Sequence, residues 1–185
     1  MDGTLTVPVH DFVSMRLELG LPEGVGTLEG LAALPAEEQA RLRPVLDEIG
    51  WRYVEQARPQ PNAAELLATL AARGDRLGVV TRNGRRNTLA TLERIGFAGY
   101  FPAAAVRTRD DGAAKPAPDA VLALLSTWGA APHDGVMVGD AVYDLQAGRA
   151  AGAATVLLDP AGDSAWRALA DVCVRDLGEL RGFLL

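Results

Sequence analysis

Short apolar runs that end in a polar residue, each followed by a helical pattern, constrain this chain more than any other feature. Leu77-Gly78-Val79-Val80 ends in Thr81, Val136-Met137-Val138 ends in Gly139-Asp140, and Ala154 to Leu158 forms a third run. These runs do not alternate apolar with polar, so both faces of the strands they form need covering, as in a parallel sheet. Helical signals fall between them. Asn62 and Glu65 have capping-box spacing and open a helix through Leu66, Leu67 and Leu70 that Gly74 ends. Arg85 to Ile95 reads as a helix with Leu89 and Leu92 inward, stopped by Gly96. Pro118 suits a first helical position, and Val121, Leu124, Leu125 and Trp128 follow at i, i+3, i+4 and i+7. Val142 to Ala151 forms the next helix. The expected class is α/β with a doubly wound parallel sheet. In such a sheet ligands bind beyond the carboxyl ends of the strands, which is where Thr81 and Asp140 fall.

Residues 9 to 60 carry helical periodicity and no strand signal. Phe12, Met15 and Leu19 line one helix, ended by Gly20 and Pro22. Thr27 caps a short helix through Leu31 and Leu34. Pro35 starts another, with Leu42, Leu46, Ile49 and Tyr53 on one stripe and Pro44 expected to kink or split it. Pro59 and Pro61 mark the return. The expected division is a core of residues 1–8 and 61–185 carrying a helical insertion at 9–60. A chain of 185 residues that is 49% hydrophobic is enough for one domain with such an insertion.

Charge and cysteine usage narrow the partners. A net charge of −6 argues against nucleic acid, whose binders need a basic face. Cys173 is the sole cysteine and sits in the strand-like Val172-Cys173-Val174, so no disulfide forms within one chain and a cytoplasmic setting is expected. Asp2 and the lack of a basic-then-apolar opening exclude a signal peptide at residue 1, and no apolar run is long enough to span a bilayer.

Four motifs stand out along the chain, two of them at predicted strand ends. They are Asp2-Gly3-Thr4-Leu5-Thr6, Thr81 with Arg82-Asn83-Gly84, Lys115-Pro116-Ala117-Pro118-Asp119, and Gly139-Asp140 followed by Asp144. In this order and at these separations they resemble the motifs of the haloacid dehalogenase superfamily, and the resemblance runs from residue 1 to about 160. It implies a Rossmann-like core with a small α-helical cap over 9–60, and phosphatase chemistry similar to that of phosphoglycolate phosphatases. The first motif of the superfamily has an attacking aspartate two positions before Asp2. That nucleophile and its strand are therefore expected upstream of Met1, between the strands ending at Thr81 and Asp140, and a chain folded without them is not expected.

The resemblance also implies roles. A phosphate monoester dianion repels nucleophiles, so a cation and several donors are needed around it. Asp140 is expected to bind Mg²⁺ directly, Asp144 through water, and Asp2 through its backbone carbonyl, a hard oxygen set. The Asp2 side chain would protonate the leaving alcohol and then activate water. Thr81, Gly3 and Arg82 would bind phosphate with neighbouring N–H groups, and Lys115 would balance its charge. Asn83 is read equally as a substrate contact and as the start of an Asn-Gly turn. The substrate would be a small phosphorylated metabolite, with no nucleic acid or membrane partner and the oligomeric state open. A phosphomutase keeps the same motifs and stays open. A dehalogenase would share the fold without needing Mg²⁺, and a chain truly starting at Met1 would be a catalytically silent relative.

Remaining polar and aromatic residues are read as structural. His10 and His133 lack zinc-ligand spacing, and His10, at the cap entrance, is read as an ordinary exposed histidine. Trp51, Trp128 and Trp166 are packing residues on helices. Asp110 and Asp111 belong to a loop, and Arg82, Arg85 and Arg86 form a basic helix start.

Overall fold

The computed structural model describes residues 1–184. Helices α1 (Phe12–Glu18), α2 (Thr27–Ala32) and α3 (Ala36–Val54) come first. After α4 (Ala63–Arg73) the chain alternates: β1 (Val79–Val80), α5 (Arg85–Arg94), β2 (Val106–Arg107), α6 (Asp119–Trp128), β3 (Val136–Gly139), α7 (Val142–Ala151), β4 (Ala154–Leu158), β5 (Val172–Val174) and α8 (Leu177–Leu184). Every strand pair is parallel: β1 with β2, β3 with β4, and β4 with β5. The α/β class with parallel strands and covering helices is therefore as expected.

The sheet is in two parts, β1-β2 and β3-β4-β5. A cleft of about 630 Å³ separates β1 from β3, lined by Leu77 to Val80 on one side, Val136 to Val138 on the other, and Met1 and Leu5 at one end. The expected strand at 77–80 shortens to Val79–Val80, where Val106 and Arg107 supply a ladder. Leu77 and Gly78 face the cleft instead.

Several local expectations are corrected. Asn62 adopts a left-handed conformation (φ 64°) and makes no side-chain cap bond; its amide reaches Asp176 at 3.4 Å. Helix α3 runs unbroken through Pro44. Pro44 and Ala40 are both exposed, so the carbonyl that loses its helical donor can turn to water. Thr27 opens α2 without capping it, and its hydroxyl lies 3.9 Å from the Met15 sulfur. Phe12 and Leu89 are 54% and 38% exposed, not inward. Trp166 is exposed and precedes a short 3₁₀ turn. Helix α8 went unread, although Asp176 caps it by accepting from Gly178 N (2.7 Å) and Glu179 N (2.9 Å). It packs Leu177 and Leu180 into the main core with Leu66, Leu67, Val79, Val106 and Leu158.

Helices α1–α3 have an apolar cluster of their own: Met15, Leu19, Leu21, Leu31, Leu42, Leu46 and Ile49. Their stripe spacing is the one read from the sequence. Two chain crossings join this layer to the strand-bearing part. At the return, Thr6 bridges to Pro59, Val7 N donates to Arg58 O at 3.1 Å, and Gln60 N donates to Leu5 O at 2.8 Å.

Candidate functional site

The chain turns tightly at residues 1–6: Thr4, Leu5 and Thr6 all donate backbone N–H to Met1 O at 2.7–3.2 Å. Gly3 takes φ 75°, and a Cβ there would meet the Asp140 carboxylate at 2.1–2.8 Å. Only glycine lets the turn and the end of β3 approach this closely. Thr4 then donates its hydroxyl to Asp140 Oδ1 at 2.8 Å. Burial raises the Asp140 pKa above the ordinary carboxylate value, and the nearby Asp144 charge adds to it.

Asp144 lies in the first turn of α7, held by Ala141 N on Oδ2 at 3.1 Å, and its other oxygen meets Lys115 Nζ. Both side chains of this ion pair are only 6% exposed. Burial works against ionising Asp144, but the Lys115 ammonium prevails and keeps its pKa below the usual value. Lys115 follows Ala114 into a cis bond with Pro116 and also donates to Val80 O at 2.7 Å. An ammonium has three donors, so one stays free for an incoming anion.

At the end of β1, Thr81 is buried and donates its N–H to Arg107 O at 2.9 Å. Its hydroxyl accepts from Asn83 N at 3.2 Å, which turns the chain so that Asn83 Nδ2 reaches Asp2 Oδ2 at 2.8 Å. Asn83 therefore turns the chain, as one of its two readings had it, and its side chain grips Asp2. Arg82 stacks on the Tyr143 ring at 4.0 Å, donates to Lys115 O, and forms a two-pronged ion pair with Glu29 of α2 at 2.7 and 2.8 Å. Arg109 reaches Asp47 of α3, and Arg86 reaches Glu48 at 2.8 Å while covering Trp51 at 4.1 Å.

Asp2, Gly3, Thr81, Arg82, Asn83, Lys115, Asp140 and Asp144 thus share one contact network from four separate stretches of chain. Sequence reading assigned no role to Thr4, Glu29 or Tyr143, and it misjudged His10. The His10 side chain is 8% exposed, with Nδ1 at 3.9 Å from Asp2 Oδ1, and burial lowers its pKa while Asp2 opposes the shift. The sequence around it did not mark it, because Tyr53, which packs against the ring, comes from a later helix.

Among the described residues no group of three or more His, Cys, Asp or Glu side chains converges as a metal site. The Asp2 carboxylate turns to Asn83 instead of joining Asp140 and Asp144. The carboxylates that could hold a cation here are Asp140 and, behind it, Asp144, although Asp140 Oδ1 accepts from Thr4 and both Asp144 oxygens already meet Ala141 N and Lys115. Such a short set suits Mg²⁺, which keeps several waters. A buried Asp140 with a raised pKa is a group that a cation would favour.

Comparison with known proteins gives consistent results. Residues 2–152 match the haloacid dehalogenase-like hydrolase family model. A haloacid dehalogenase-like hydrolase domain-containing protein of Arabidopsis thaliana is 30% identical over 88% of this chain and 69% of its own length. The phosphoglycolate phosphatase of Escherichia coli O157:H7 is 35% identical over 84% of this chain, which spans 60% of that enzyme. A hydrolase from Pseudomonas syringae superposes with a TM-score of 0.83 at 26% identity, covering 99% of this chain and 94% of that one.

Proposed function

The chain belongs to the haloacid dehalogenase-like hydrolase family, and within it we propose a Mg²⁺-dependent phosphatase of a small phosphorylated metabolite. The observation that carries this reading is the buried Lys115–Asp144 pair, set between the ends of β1 and β3 with Thr81, Asp140 and the Asp2–Asn83 bond around it. A buried lysine with a donor to spare suits a dianion better than a neutral ligand. The similarity to a phosphoglycolate phosphatase supports the same substrate class.

In this mechanism the attacking carboxylate belongs to an aspartate two positions before Asp2, on a strand entering the cleft between β1 and β3. Its oxygen bonds to phosphorus as the ester P–O bond breaks, and Asp2 gives its proton to the leaving oxygen. Asp2, now a carboxylate, takes a proton from water, which attacks the aspartyl-phosphate and releases phosphate. Thr81 and nearby N–H groups bind the phosphoryl oxygens, and Lys115 offsets their charge. Mg²⁺, held by Asp140 and the Asp2 carbonyl with Asp144 behind, would supply further charge neutralisation. Helices α1–α3 act as the cap, closing over the strand ends and excluding water.

The test is a panel of phosphate esters assayed with Mg²⁺ and with EDTA on the protein extended to include the upstream aspartate. Release of inorganic phosphate that EDTA abolishes is expected. Phosphoryl transfer within a sugar phosphate without phosphate release would replace this reading with a mutase, and turnover undiminished by EDTA would end the metal-dependent one.

A further inference from the structure

Asp2 Oδ2 is gripped by Asn83, and Oδ1 lies 3.9 Å from Nδ1 of the His10 ring. That nitrogen is buried and has no hydrogen-bond partner. Leaving a buried polar nitrogen unpaired costs on the order of 1–3 kcal/mol, so a native orphan calls for a use. The ring is not free to find another partner. Tyr53 packs against it at 4.3 Å, Phe12 stacks beyond it at 5.6 Å, and the Tyr53 hydroxyl accepts from Asp11 N at 3.1 Å.

We propose that His10 is a positioning residue for the Asp2 carboxylate, donating from Nδ1–H to Oδ1 when the α1–α3 layer closes on the strand ends. The proposal rests on the reading of Asp2 as general acid and base. The present separation exceeds an N–H···O bond by about 1 Å, so a small approach of the helical layer completes the contact. Held by Asn83 on one oxygen and His10 on the other, the carboxylate keeps one orientation. Oδ1 retains a second lone pair for the proton it transfers. Since Phe12 and Tyr53 belong to the helical layer and Asp2 to the core, His10 makes acid orientation conditional on closure.

The test compares His10→Phe, which keeps the aromatic stack without the nitrogen, with His10→Asn, whose amide nitrogen takes the place of Nδ1. Both are assayed on an alkyl phosphate and on p-nitrophenyl phosphate, whose leaving group needs little protonation. His10→Phe should lower kcat/KM on the alkyl ester by about 10–100-fold and on the nitrophenyl ester by only a few-fold. His10→Asn should recover most of the loss. Equal losses on both esters, or no loss in His10→Phe, would overturn the assignment and leave the ring as packing. A readout without turnover keeps this separate from the phosphatase reading. Imidazole ¹⁵N spectra should show the Nδ1–H tautomer, perturbed by Asp2→Ala. An Nε2–H tautomer indifferent to that change overturns the proposal even in an active enzyme, whereas absence of any phosphatase activity in the unmodified protein indicts the function instead.

Discussion

At the strand ends charge is buried: Lys115 and Asp144 are almost entirely covered, and Asp140 meets the Gly3–Thr4 turn at contact distance. Across the junction with α1–α3 the pairs Glu29–Arg82, Asp47–Arg109 and Glu48–Arg86 each have at least one partner in good contact with water. The two regions obey different electrostatics. Breaking a buried pair strands a charge and costs about 3–5 kcal/mol, while an exposed pair contributes about 0–1 kcal/mol. One region is built to stay fixed. The other is fastened by contacts that each contribute little, as the proposed closing cap would require.

The largest effect is expected at Asp140. Asp140→Asn should abolish Mg²⁺-dependent turnover while making the metal-free protein more stable at neutral pH. The sign follows from its raised pKa: ionising this buried group costs stability as pH rises through the folded-state value, and asparagine removes that cost. Phosphate release and urea unfolding, each with and without Mg²⁺, check both halves. Turnover retained in this variant would break the contrast at its centre.

Lys115→Ala comes next. It should reduce kcat by about 10²–10³-fold and destabilise by about 3–5 kcal/mol, because Asp144 is left charged and unpaired. Adding Asp144→Ala should restore part of the stability and none of the activity. Thr81→Ala removes a neutral hydroxyl and should cost less in kcat than Lys115→Ala. The reverse ranking in steady-state kinetics would move charge stabilisation away from Lys115.

Smaller effects are expected at two ion pairs of graded burial. Burial of Asp111 opposes its ionisation, but hydrogen bonds from Arg85 and Thr108 hold its pKa at about 2. Its stabilisation is therefore present above the ordinary carboxylate pKa and lost as pH falls towards about 2. Asp111→Asn should cost about 1 kcal/mol at neutral pH, after allowing for solvent screening, and nothing at the acid end. Denaturation at both pH values measures this difference. Glu29→Gln should change stability by less than about 1 kcal/mol and shift KM more than kcat. A stability loss as large as that of Lys115→Ala would mean that the helical layer is as firmly fixed as the core.

Much of this was legible along the chain. Helix α7 and strand β4 lie at the residues read from periodicity, and α6 follows Pro118 as expected, because apolar spacing and helix breakers act over a few residues. The motif residues were legible for a related reason. Asp2, Thr81, Lys115, Asp140 and Asp144 stand in four motifs that, in this order, resemble those of the haloacid dehalogenase superfamily, and the proposed phosphate chemistry would use residues of these types. Strand β2 was not legible, since Val106–Arg107 is too short to show a period and exists only as a partner to β1.

What the sequence by itself determined is therefore the α/β alternation and a helical stretch within 9–60, both consequences of local spacing, and, through the resemblance of four motifs, which polar residues gather near the strand ends. Tertiary structure alone decided the rest. Asn83 both turns the chain and grips Asp2, Arg82 bridges Tyr143 and Glu29, and His10 lies buried with an orphan nitrogen beside Asp2. The physical reason is distance along the chain: Asn83 is 81 residues from Asp2, Arg82 is 53 from Glu29, and His10 owes its burial partly to Tyr53. Burial and charge pairing belong to neighbours in space, and those neighbours exist only once the helical layer packs beside the strand ends.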